Sequence, residues 1–125
     1  YLLDKGEIYY ATHPDMLCPT EFGLVPDCGT FIDMLYTATG RRPKVFGKPD
    51  PGMALNVAEK FGYSIKDTVM VGDRLYTDLK CGIDSGAVSV LLLSGETTRE
   101  MYEDSDLIAD HVFDDINSLY LSMKK

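Results

Sequence analysis

The stretch Thr68-Val69-Met70-Val71-Gly72-Asp73-Arg74-Leu75-Tyr76-Thr77-Asp78 decides how this chain reads. A short run of apolar, β-branched residues closes on a glycine and a carboxylate, and a polar loop leads to a second carboxylate. Such a run fits a buried parallel strand that delivers its last side chain to the edge of a sheet. Open α/β sheets place their ligands at that edge, beyond the carboxyl ends of the strands. Two carboxylates across one loop suit a hard cation such as Mg²⁺, which takes oxygen ligands and keeps several waters. The same residues also suit a plain strand-to-helix turn in which Thr77 or Asp78 is only an N-cap. The stretch upstream bears on that choice.

Working outward, the sequence alternates strands and helices. Downstream, a helix is expected from Asp78 to about Ser85, with Gly82 permitting close contact with the sheet. Val88 to Leu93 reads as a further buried strand, followed by a Ser94-Gly95 turn. Thr97 and Glu100 have capping-box spacing for a short helix. His111-Val112-Phe113 reads as a last strand, with Asp114 capping a terminal helix that reaches Met123. Upstream, Asp50 as cap and Pro51 at the first turn start a helix whose face is Ala54, Val57, Ala58 and Phe61, ended by Gly62. Lys44 to Gly47 is a short strand. A helix from Cys28 to Thr39 is expected after Asp27, with Cys28, Phe31, Ile32 and Leu35 on one face and Gly40 closing it. Residues 16–26, with two prolines and no clear period, read as a loop, and Glu7 to Thr12 reads as a strand. The alternation gives an α/β fold with a parallel sheet.

Composition narrows the partners. The chain has 125 residues, 45% hydrophobic and 26% charged, enough for one domain with a core. Its formal charge of −8 disfavours nucleic acid and anionic membranes, which call for a basic surface. There is no bilayer-length apolar run and no signal-peptide pattern at the start, so a cytoplasmic location is expected. Cys18, Cys28 and Cys81 lack CxxC spacing and read as buried or half-buried thiols. Tyr1 to Gly6 looks like the end of a helix closed by a glycine, with no initiator Met, as if the chain continued a longer one.

Gly47-Lys48-Pro49-Asp50-Pro51 adds the cation. A lysine between a strand and a proline-initiated helix would lie at the same sheet edge as Asp73 and could hold a phosphate beside a metal. Alone, Lys48 would be a solvated surface lysine. At this point the sequence resembles the haloacid dehalogenase (HAD) superfamily of phosphohydrolases, in its NagD-like, nitrophenylphosphatase-like branch (subfamily IIA). The likeness is carried by Ala11-Thr12-His13-Pro14-Asp15, Cys28-Gly29, Gly40-Arg41, Val45 to Pro51, Val69 to Asp78, Gly82, Gly86 and Leu93-Ser94-Gly95. The GKPxP and VGDRLxTD stretches in this order are its specific part.

The resemblance implies a HAD-like Rossmannoid three-layer core, here partial, with a remnant of an α/β cap. Residues 1–40 would be the end of the cap and residues 41–125 the C-terminal half of the core. It implies Mg²⁺ as cofactor, Asp73 as its ligand, and Lys48 as the residue that steadies nucleophile and phosphoryl charge. It implies Asp78 as the acidic residue supporting the metal site or the lysine, and His13 and Asp15 as a cap segment that helps choose the substrate. The expected chemistry is attack by an aspartate on a small phosphorylated metabolite, then hydrolysis of the aspartyl phosphate. The family's DxDGT motif, which carries that aspartate, is absent: Leu3-Asp4-Lys5-Gly6 lacks the second carboxylate. The chain alone is therefore expected to be inactive, with its Val69–Val71 strand left at an open edge that invites pairing with another chain. The competing reading is a non-enzymatic HAD-like module that binds a partner or self-associates. Asp73 as a receiver-type phosphoacceptor fits the flanking residues less well.

Overall fold

The computed structural model describes residues 1–124. They form two compact units, Tyr1–Gly47 and the residues from Lys48 onward. Lys44–Gly47 goes with the first unit because Lys44 and Val45 pair with Tyr10 and Ala11.

In the first unit, β1 (Tyr10–Ala11) pairs in parallel with β4 (Lys44–Val45). Both are shorter than the sequence suggests. Residues 16–26, expected as a loop, instead make an antiparallel hairpin of β2 (Leu17–Thr20) and β3 (Gly23–Pro26). All eight residues are exposed, so no alternation of buried and exposed positions marks the strands. Pro19 and Pro26 are tolerated because each strand of a two-stranded ribbon keeps an open edge. Helix α1 (Cys28–Thr39) has the expected ends: the Asp27 carboxylate accepts from the Cys28 N–H at 2.7 Å, and Gly40 takes the left-handed conformation at φ 66°. Its buried residues are Gly29 and Ile32, whereas Phe31 is exposed. The first residues are a run of turns closed by Gly6, not a helix.

The second unit is built on a parallel sheet in the order β5-β6-β7: Val69–Gly72, Val88–Leu92 and His111–Phe113. Helix α2 (Gly52–Phe61) has Pro51 rather than Asp50 at its cap position, one residue later than the sequence suggests; the Asp50 carboxylate still accepts from the Gly52 N–H at 2.7 Å, and the helix ends at Gly62. Its buried seam is Ala54 and Ala58, while Val57 and Phe61 are exposed. A wide π turn, Leu75–Leu79, runs into α3 (Lys80–Ser85), so the coil begins before Asp78. A Cβ on Gly82 would lie 3.1 Å from that of Ser89 and 3.2 Å from that of Met70, the close approach expected of a glycine there. Helix α4 (Arg99–Glu103) is capped by Thr98, one residue later than the capping box suggests, because Thr97 is buried. Likewise Asp115, not Asp114, caps α5 (Ile116–Ser122).

The two sheet faces differ. On one, Leu91 and Val112 join Leu75, Leu79, Leu93, Tyr102, Leu107 and Ala109 in the core. On the other, Val69, Val71, Val88, Val90, His111 and Phe113 line an apolar groove of about 550 Å³ with Leu119 and Met123. Among the described residues β5 has a neighbour strand on one side only, and Val69 is 54% exposed. The three cysteines are free; Cys81 is buried as expected, Cys28 is half-buried, and Cys18, on the open hairpin, is exposed. Among the described residues no helix is long and apolar enough to cross a membrane.

Candidate active site

The second unit brings Lys48, Asp73 and Asp78 into one polar network. β5 ends at Gly72, so Asp73 leaves the sheet at the carboxyl end of a strand. The π turn then carries Asp78 back beneath that end. Gly72 makes this return fit: a Cβ there would overlap the Cβ and Cγ of Asp78. Asp78 is 5% exposed and both of its carboxylate oxygens accept hydrogen bonds. Oδ1 accepts from the Lys48 ammonium, while Oδ2 accepts from the Asp73 N–H at 3.3 Å and the Arg74 N–H at 3.2 Å. A buried carboxylate needs such partners, because burial without them would favour its neutral form. Asp78 therefore fastens the lysine to the loop that carries Asp73. The Lys48–Pro49 peptide is cis.

Asp73 is held from a second direction by the turn after β6. Its Oδ2 accepts from the Glu96 N–H at 2.8 Å, and its backbone carbonyl accepts from the Thr97 N–H at 3.1 Å. Glu96 also pairs through its side chain with Arg74. Oδ1 of Asp73 accepts no hydrogen bond among the described residues. These donors suit Mg²⁺ better than a soft metal. Mg²⁺ is commonly bound by one or two carboxylates and completes its shell with water and substrate oxygens. No group of three or more His, Cys, Asp or Glu among the described residues converges as an all-protein metal cage. Asp73, with one free oxygen at the sheet edge, fits such a hydrated ion; Asp78, with both oxygens committed, fits a supporting role.

Cys81 lies behind this network, fully buried, with its thiol donating to the Asp50 carbonyl at 3.4 Å. Burial pushes its thiol up from the usual range. It is a packing residue.

His13 and Asp15 lie in the first unit. His13 Nδ1 is 3.9 Å from Asp15 Oδ2, and its Nε2 is 3.5 Å from Asp27 Oδ1. The imidazole thus faces two carboxylates, one of them the cap of α1. The sequence singled out His13 and Asp15 as one cap segment and not Asp27, which reads there only as a helix cap. Likewise Gly72 reads only as the end of a strand and Gly95 only as part of a turn, which misses the close approach to Asp78 and Asp73 that each allows.

Comparison with known proteins gives the family. The profile of the HAD-hydrolase-like family matches residues 45–119, the span from the strand before Lys48 to the last helix. The chain belongs to that family of hydrolases. Among solved structures it is similar to a 4-nitrophenylphosphatase from Thermotoga maritima, at 46% identity and a TM-score of 0.87, covering 94% of this chain and 46% of that one. It is also similar to a glycerol phosphate phosphatase from Mycobacterium tuberculosis crystallised with magnesium: 30% identity, TM-score 0.86, covering 94% of this chain and 36% of that one. A curated relative, the dihydroxyacetone phosphatase of Corynebacterium glutamicum, is 37% identical over 75% of this chain and 34% of its own length. The chain spans less than half the length of each of these relatives.

Proposed function

We propose that this chain is the part of a Mg²⁺-dependent phosphatase that holds the metal and the phosphoryl charge, acting on a small phosphate monoester in the cytoplasm. The buried Asp78 carboxylate, tied at once to Lys48 and to the loop of Asp73, carries this reading. In it, Asp73 ligates Mg²⁺ through Oδ1, and Asp78 fixes the lysine. The Lys48 side chain is 40% exposed, and its ammonium keeps N–H donors for phosphoryl oxygens beyond the one given to Asp78. Bound Mg²⁺ would supply charge neutralisation at the phosphoryl group. His13 and Asp15 contribute to substrate choice, and magnesium in one similar structure supports the cofactor. Positioning and charge stabilisation dominate phosphoryl transfer, so a half-site of this kind has a defined part in it. The aspartate nucleophile is supplied by residues outside this sequence.

The test is hydrolysis of an aryl phosphate by the folded chain with and without Mg²⁺, beside binding of inorganic phosphate. The reading expects no turnover, and Mg²⁺-dependent phosphate binding that is lost in Lys48→Ala. Metal-dependent turnover would overturn the half-site, and phosphate binding indifferent to Lys48 would overturn the role of the lysine.

A second reading, a module that self-associates, is favoured by one observation: β5 is an open edge beside an apolar sheet face. Such an edge is a template for pairing with another strand. The two readings are compatible for one chain.

A further inference from the structure

We propose that Gly95 is a positioning residue for Asp73: the turn after β6 is pressed onto the Asp73 carboxylate so that one oxygen is fixed and the other is presented to a cation. The proposal rests on the reading of Asp73 as the metal ligand given above.

Three observations support it together. A Cβ on Gly95 would fall well inside van der Waals contact with Cβ, Cγ and Oδ2 of Asp73, so no other residue fits without displacing that carboxylate. The next two residues both donate to Asp73, Glu96 to Oδ2 at 2.8 Å and Thr97 to the backbone carbonyl at 3.1 Å. The Thr97 side chain is 2% exposed, which anchors the turn from within. Gly95 is absent from the glycines with positive φ, so backbone conformation does not require it. Close approach does. The Glu96–Arg74 ion pair joins this turn to the loop after β5 and reinforces the same arrangement.

Groups that orient a metal ligand without touching the metal typically alter its affinity about ten- to hundredfold when changed. Alanine at position 95 would push the Asp73 carboxylate away from the Glu96 N–H and turn Oδ1 with it. A purely structural glycine would instead lower the stability of the metal-free chain and leave the affinity of the folded fraction alone.

The experiment is Mg²⁺ titration by calorimetry of wild type, Gly95→Ala and Asp73→Asn, with thermal unfolding of each in chelator. The expected result is an affinity weakened about tenfold or more in Gly95→Ala, with a metal-induced rise in Tm much smaller than in wild type. Unchanged affinity in Gly95→Ala alongside loss in Asp73→Asn would overturn the role of Gly95 and leave the metal site standing. Unchanged affinity in Asp73→Asn would overturn the metal reading itself, and the proposal with it. If Gly95→Ala does not fold, hydrogen exchange decides. The Glu96 amide should be protected in wild type and lose protection in Asp73→Ala, and equal protection in both would overturn the contact.

Discussion

Asp78 holds three donors at once, and each makes it costly to remove. Asp78→Ala strands the Asp73 and Arg74 N–H groups as well as the Lys48 ammonium. Lys48→Ala strands one carboxylate oxygen that water can reach in part, since the lysine side chain is 40% exposed. Urea unfolding should therefore show losses of about 2–3 kcal/mol for Asp78→Ala and about 1–2 kcal/mol for Lys48→Ala. The reverse order would contradict the account of Asp78 as the hub. A second carboxylate makes a pH prediction. Asp110 accepts from the Ser89 N–H and hydroxyl, each at 2.8 Å, and these bonds hold its carboxyl below the usual range. A depressed carboxylate adds stability that is present above its unfolded value, near 4, and is lost as pH falls through the folded value. Stability measured against pH should thus drop below about pH 4, and Asp110→Ala should flatten that limb. An unchanged acid limb would contradict it. Asp115, held low by the Ser118 N–H and hydroxyl, titrates in the same window and leaves a residual slope.

At the scale of elements, the strand and helix alternation was legible wherever local chemistry is strong. Asp27 and Gly40 bound α1, Gly62 ends α2, and Gly72 ends β5 as read. What escaped was set by tertiary packing. The caps of α4 and α5 moved one residue along because Thr97 is buried and Asp115 reaches the Ser118 N–H. Phe31, Val57 and Phe61 have helical spacing yet are exposed, since the small residues Gly29, Ala54 and Ala58 form the buried seams. The hairpin of β2 and β3 had no burial pattern to betray it. For the site, acidic and basic residues stand out in a sequence, whereas the glycines that let them approach do not. The π turn after β5 is where the two meet. Gly72→Ala should disturb it, because the new methyl overlaps Asp78, and overpacking of this kind costs about 1–3 kcal/mol. Wild-type stability in that variant, measured by urea unfolding, would show that the return of Asp78 beneath β5 is looser than described.

The whole molecule carries a charge of −8 and, in its second unit, an apolar sheet face with an open strand beside it. These oppose each other: the strand favours association, and like charge resists it. Sedimentation velocity should show self-association that rises with protein concentration and with salt, as screening relieves the repulsion. Val71→Lys, on the edge strand, should shift the population toward monomer. A monomer at every concentration and salt level would contradict the self-associating reading and leave the metal site untouched.

The claim on which the rest depends is that Asp73, fixed by Glu96 and by the loop that Asp78 holds, binds Mg²⁺. Calorimetric titration of the folded chain with Mg²⁺, beside Asp73→Asn, measures it directly. The account predicts saturable binding to wild type, weakened about tenfold or more in the variant, as removal of a first carboxylate ligand requires. Equal affinity in the two proteins would contradict it.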